Sequence, residues 1–178
     1  MSDDRYFAFL RAINTGNRRL TNRQLVAPFE AMGLSDVAAY QAAGNVTFRS
    51  ETLADEPTIE SALATAYGFE TPTFVRSEAE LASIVAAQPF PPAAVAATAG
   101  KIQVAFLRAA PSEERRAAAV VLVPEEDQVR VIGREWYWLP QEGISTSKLP
   151  VGQIEGVLGE MTIRTMGTLQ RMSAKFAG

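Results

Sequence analysis

Residues 5–13, RYFAFLRAI, return later in the chain as KIQVAFLRA at residues 101–109, with Phe106-Leu107-Arg108-Ala109 repeating Phe9-Leu10-Arg11-Ala12 letter for letter. Both stretches are dense in aromatic and aliphatic residues, as strands are. After the first copy, Asn14-Thr15-Gly16-Asn17 is turn chemistry. Thr21-x-x-Gln24 then forms a capping box for a helix that Gly33 closes, with Leu25, Phe29 and Met32 as its apolar stripe. Pro28 lies inside that helix and predicts a kink. Residues 37–41 and 45–49 read as two strands joined around Ala42-Ala43-Gly44. Asp55 with Pro57 opens a second helix, in which Ile59, Leu63 and Tyr67 recur every fourth residue and Gly68 is the stop. Residues 71–76 make a fourth strand. The order is β-α-β-β-α-β.

The second copy starts the same order again. Ser112 caps a helix reaching residues 117–123, and residues 129–132 and 135–139 flank Gly133-Arg134 as a hairpin. Residues 148–158 read as a helix carrying Ile154, Val157 and Leu158, closed by Gly159. Residues 161–165 are a last strand, and Leu169, Met172 and Phe176 suggest a short terminal helix. Between the copies, Ser77-x-x-Glu80 caps a further helix that runs into Gln88-Pro89-Phe90-Pro91-Pro92 and an Ala/Thr-rich stretch up to Gly100. The fold class is therefore α+β, an internal duplication of two ferredoxin-like βαββαβ halves with antiparallel sheets. The halves are residues 1–76 and 101–178, joined by a helix and Pro/Ala-rich connection over residues 77–100.

Composition narrows the chemistry. A chain of 178 residues with 47% hydrophobic and 21% charged residues has enough apolar material for a core without staples. There is no cysteine, so disulfides and thiolate metal sites are excluded. There is no histidine either, which removes Ser-His-Asp and Cys-His nucleophile systems and histidine-based zinc sites. Any catalysis would rest on carboxylates, lysine, tyrosine or a bound cofactor, and a non-enzymatic role is the expectation. No cofactor is indicated by any motif, and no metal site is expected. The acidic opening residues lack the basic start and long apolar run of a signal peptide, and no uncharged apolar window is long enough to cross a membrane. A cytoplasmic protein is expected, as a monomer or weak homodimer. The net charge of −3 argues against a general nucleic-acid coat. Yet Arg5, Arg11, Arg18, Arg19 and Arg23 crowd the first two dozen residues, where an anion-binding corner is the functional reading and a solvated arginine face the bland one.

In a βαββαβ unit the first and second strands run parallel, with the third between them and antiparallel. The loop after the first strand (residues 14–19) and the hairpin loop (residues 42–45) then lie at one end of the first sheet. In the second half, the opposite end of the sheet holds residues 145–148 and 164–168. If the halves pack head to tail, all four segments meet at one seam.

Those segments also carry a resemblance. Leu10–Asn17 reads LRAINTGN; Tyr40-Gln41-Ala42-Ala43-Gly44-Asn45-Val46-Thr47-Phe48 follows; Ser147-Lys148-Leu149 comes after Tyr137-Trp138-Leu139-Pro140; and residues 162–168 read TIRTMGT. In these motifs the chain resembles domain-of-unknown-function family 1697, uncharacterised bacterial α+β proteins. Its patterns are Leu-Arg-Gly-Ile-Asn-Val-Gly-Gly, Tyr-x-x-Ser-Gly-Asn-Val-x-Phe, Ser-Lys-Leu and Thr-Thr-Arg-Asn-Trp-Asn-Thr. The resemblance implies two ferredoxin-like halves and no known activity. Set against those patterns the chain looks like a divergent member: Ala12 and Asn17 stand for glycines, Ala43 for a serine, and Thr165, Met166 and Gly167 for Asn-Trp-Asn. Arg11, Asn14, Gly16, Gly44, Asn45, Ser147, Lys148, Arg164 and Thr168 remain as candidate ligand-binding residues.

The leading functional expectation is a module binding a small anionic, phosphate-bearing ligand at the seam. Arg11, Lys148 and Arg164 supply charge, and Asn14, Asn45, Thr168 and backbone amides supply orientation. Residues 14–19 are no P-loop, since the second glycine and the Gly-Lys-Ser/Thr ending are absent. The alternative is an enzyme acting on a phosphorylated or nucleotide-like substrate with Lys148 as acid/base. A third reading, single-stranded nucleic-acid binding, rests on Trp136, Tyr137 and Trp138 alternating along one strand, where packing between the halves is the structural alternative. Ser145-x-x-Lys148 has the spacing of penicillin-recognising enzymes, but without their partner motifs it reads as a helix cap. Glu125-Glu126-Asp127 reads as a solvated turn rather than a metal site.

Overall fold

The computed structural model describes residues 3–16, 19–41, 43–52, 55–99 and 101–176. Two four-stranded antiparallel sheets carry the chain. In the first half, β1 (Asp4–Leu10), α1 (Asn22–Ala31), β2 (Ser35–Ala39), β3 (Asn45–Ser50), α2 (Glu56–Tyr67) and β4 (Thr73–Ser77) build a sheet of order β2-β3-β1-β4. Two helices follow, α3 (Glu78–Ala86) and α4 (Pro92–Ala96). The second half, β5 (Gln103–Leu107), α5 (Glu113–Val120), β6 (Gln128–Ile132), β7 (Glu135–Leu139), α6 (Val151–Leu158) and β8 (Met161–Thr165), builds a sheet of order β6-β7-β5-β8, and α7 (Met166–Phe176) ends the chain. The strand orders are those of a ferredoxin-like unit, twice. One compact unit takes the chain through Ser83 together with the segment from Met172; the other runs from Ile84 to Arg171.

Local sequence explains most boundaries. Thr21 caps α1 in a complete capping box: its hydroxyl accepts from the Gln24 amide, and the Gln24 side chain accepts from the Thr21 amide at 2.9 Å. The helix continues through Pro28, whose missing amide leaves the Gln24 carbonyl without its usual donor. Asp55 caps α2, and Gly68 ends it in the left-handed conformation. Ser77 and Glu80 exchange the same reciprocal bonds at the start of α3, at 3.2 and 2.8 Å.

Each half has a core between one sheet face and its two helices. In the first, Tyr6, Ala8, Leu10, Val46, Phe48 and Val75 meet Leu25 and Phe29 of α1 and Ile59 and Leu63 of α2. In the second, Ala105, Leu107, Trp136, Trp138 and Met161 meet Ala119 of α5 and Ile154 and Leu158 of α6. Burying each such side chain stabilises the fold by about 1.5–3 kcal/mol. The opposite face of each sheet is buried too, with Phe7, Phe9, Phe74 and Arg76 in the first and Val104, Phe106 and Tyr137 in the second.

Three expectations need correction. Trp136 and Trp138 pack under the helices of their own half rather than between halves, and at 2% and 3% exposure they offer no face for base stacking. Within the Pro/Ala-rich connection, prolines pre-set for a first helical turn start α4. Lys148 is not helical: α6 begins only at Val151, with Pro150 at its N-cap and no side-chain cap. The residue before a proline is steered away from helical angles, which keeps Leu149 and everything ahead of it out of the helix, and Ser145 therefore caps nothing. Finally, Glu125 and Glu126 are exposed, but Asp127 is buried.

Candidate functional site

At the C-terminal end of β1 the chain leaves the sheet and is gripped on both sides. The Leu10 amide donates to the Gly44 carbonyl at 2.7 Å, and the Arg11 amide to the Pro72 carbonyl at 2.8 Å. The β1 exit, the β2–β3 hairpin and the approach to β4 thus meet at one end of the sheet. Gly44 has φ +72°, and a Cβ there would sit 2.9 Å from the Leu10 carbonyl oxygen and 3.0 Å from the Ile13 Cβ. Only glycine fits that approach. Asn45 is fully buried, with its side-chain amide donating to the Tyr40 carbonyl at 3.2 Å while the Tyr40 amide donates to the Asn45 carbonyl at 2.8 Å. Both motif residues therefore hold the hairpin closed; Ala42 of the same hairpin lies outside the described residues.

Residues 11–16 have an unusual backbone. Ala12, Asn14 and Gly16 take φ of +57°, +57° and +59°, while Ile13 and Thr15 between them do not. The family pattern has glycine where Ala12 stands, and the left-handed angle explains that preference. Alternating handedness turns successive amides toward one side, the geometry of an anion-binding nest. Among the described residues, the amides of Ala12, Ile13, Thr15 and Gly16 have no acceptor. The loop is closed from within: the Asn14 side-chain oxygen accepts from the Leu20 amide at 2.6 Å, and the Thr15 hydroxyl donates to the Ala12 carbonyl at 3.2 Å. Arg11 is half-buried at the loop's base, and Arg19 and Arg23 are exposed beyond it. Asn17 and Arg18 lie outside the described residues.

In the second half, Ser147, Arg164 and Thr168 each have partners within their own half. Ser147 donates to Asp127 at 2.5 Å and accepts from the Leu149 amide at 3.1 Å. Asp127 also accepts from Trp138 Nε1 at 2.9 Å and the Gln141 amide at 3.0 Å, so one buried carboxylate pins the end of β7 and the loop after it. Lys148 is exposed in that loop. Arg164 lies along β8, its guanidinium donating to Thr162 Oγ1 at 2.9 Å and the Ile163 carbonyl at 2.8 Å. Burial pushes it down to about 10, which leaves it a cation at neutral pH. Thr168 donates its amide to the Thr165 hydroxyl at 3.2 Å, in the first turn of α7. Thr165 and Trp138 flank Gln103, so β7 and β8 finish at the same end of this sheet with β5 between them.

One residue escaped the sequence reading. Arg76 is fully buried on β4, donates to the Val75 carbonyl at 2.8 Å and lies 3.9 Å from Glu56. It faces Phe7 on β1 as Arg164 faces Val104 on β5. Aligning TFVRS at residues 73–77 with MTIRT at 161–165 makes the two arginines equivalent, and that repeat was the signal available. No cluster of His, Cys, Asp or Glu suited to a metal ion occurs among the described residues. No helix among them is long and apolar enough to cross a membrane.

Comparison with known proteins agrees with this architecture. The conserved bacterial protein SP0830 from Streptococcus pneumoniae matches over 99% of this chain and 100% of its own, with a TM-score of 0.69 and 16% identity, which supports a shared fold. No curated protein matches. The family model described as protein of unknown function (DUF1697) matches residues 4–137, which include the Leu10 and Tyr40 motifs, while the Ser147 and Thr162 motifs lie beyond it. With three quarters of its length accounted for in that match, the chain belongs to the DUF1697 family.

Proposed function

We propose that the protein is a binding module for a small anion of the phosphate class, held by the loop of residues 11–16. The observation that carries this reading is the alternation of φ sign at Ala12, Asn14 and Gly16 together with the four amides that lack acceptors. The oxygens of a single phosphate would meet these donors, and Arg11 and Arg19 add charge close by in the chain. Helix α1 itself is not the anion site, since Thr21 and Gln24 close its first turn. This reading uses the first-half loop alone and does not draw on Ser147, Arg164 or Thr168. No structural feature favours an acid/base role for the exposed Lys148 over this reading.

A thermal-shift screen of inorganic phosphate, sugar phosphates and nucleotides tests the proposal. A ligand at a hundred times its Kd adds about 2.7 kcal/mol and raises Tm by roughly 5–10 °C. The expected result is a phosphate-bearing hit whose shift is lost in Arg11→Ala and in Gly16→Pro. A hit that keeps its full shift in both variants would place binding elsewhere and end the proposal, as would a panel with no hit.

A further inference from the structure

The duplication shows a difference at the outer edges of the two sheets. On β4 the amides of Thr73, Val75 and Ser77 point away from β1, and each is met by a carboxylate: Glu60 at 2.7 Å, Glu56 at 2.8 Å and Glu80 at 2.8 Å. The corresponding amides on β8 belong to Met161, Ile163 and Thr165. The alignment is fixed by Arg76 and Arg164 on the strands, and by Ile59-Glu60 and Ile154-Glu155 on the preceding helices, with Leu63 and Leu158 four residues after Ile59 and Ile154. Glu155 meets the Met161 amide at 3.1 Å, as Glu60 meets Thr73. The other two carboxylates are missing: Val151 stands at the place of Glu56, and Thr168 at the place of Glu80.

The Met166 amide donates inward to Ile102, which confirms that Ile163 and Thr165 face outward. Among the described residues neither amide has an acceptor, and both residues are half-buried rather than sealed. The Ile163 carbonyl already accepts from Arg164, so this edge presents donors more than acceptors. A pairing strand needs both in alternation; a carboxylate needs donors only. The exposed Arg171 donates to Thr168 Oγ1 at 3.4 Å and adds a cation beside Thr165.

From these observations we propose that the outer edge of β8 binds paired carboxylates, which take the places that Glu56 and Glu80 fill in the first half. Ile163 and Thr165 donate their amides, about 7 Å apart, and Arg171 supplies charge. Ile163 lies within the strand, so the site is more than the start of α7. The ligand is a free dicarboxylate or an extended peptide with acidic residues at alternate positions. This site is separate from the phosphate loop of the first half, and the two proposals stand or fall on different amides.

The test is an NMR titration of ¹⁵N-labelled protein with glutarate and with a capped Glu-Ala-Glu peptide. Both amides, Ile163 and Thr165, are expected to move downfield together. Equal affinity for the two probes assigns the site to free dicarboxylates; a peptide at least tenfold tighter assigns it to acidic segments. Thr168→Glu restores the first half's capping box, and it should raise Tm by a few degrees and weaken either probe at least tenfold. Arg171→Ala should weaken binding several-fold with Tm unchanged. The proposal is overturned if neither probe moves both amides at tens of millimolar, or if Thr168→Glu folds normally and leaves Kd unchanged.

Discussion

At the scale of single residues, the strongest constraint is steric. Gly44→Ala puts a Cβ against the Leu10 carbonyl in a left-handed backbone, so it should destabilise the fold by about 2–4 kcal/mol, read by urea denaturation. Ala12 holds a similar φ without glycine's freedom, so Ala12→Gly should stabilise by about 0.5–1 kcal/mol. An Ala12→Gly variant less stable than the wild type would contradict the backbone described for the loop. Gly44 and Asn45 were legible in the sequence as motif residues, and the structure shows both locking a hairpin. Ser147 was legible in the same partial way: its motif marks the hydroxyl that Asp127 holds. Asp127 itself was hidden, because two exposed glutamates precede it and spacing does not tell which of three acids turns inward.

At the scale of elements, caps and glycine stops located α1, α2, α3 and α5 because each signal is local and has a single geometric meaning. The start of α6 was misplaced where two local signals compete. Ser145 is a good cap by type, but Pro150 dictates where helical angles can begin. The contact between α1 and α2 carries a pH signature. Tyr67, on the last turn of α2, donates its hydroxyl to the Leu25 carbonyl of α1 at 3.2 Å, and burial pushes it up to about 12. A phenol whose ionisation is raised by folding contributes stability that is full below the unfolded value near 10 and lost as pH climbs toward 12. Tyr67→Phe should therefore cost about 1 kcal/mol at pH 7 and flatten the loss of stability between pH 10 and 12. A mutant that loses stability over that range as steeply as the wild type would show that Tyr67 is not the titrating group.

At the scale of the whole molecule, duplication is the organising fact. It was legible because the first strands of the halves kept four identical letters and the element order repeated. Comparing the halves also shows where the copies differ: Glu56 and Glu80 of the first half are replaced by Val151 and Thr168 in the second. What the sequence could not carry was the handedness of the loop at residues 11–16, because Ala12 and Asn14 are not residues whose type alone demands a positive φ. The proposed anion site rests on that loop, and its amides can be watched directly. In an NMR titration with inorganic phosphate, the amides of Ala12, Ile13, Thr15 and Gly16 should shift downfield together with one shared Kd. Shifts confined to exposed arginine side chains, with those four amides unmoved, would contradict it.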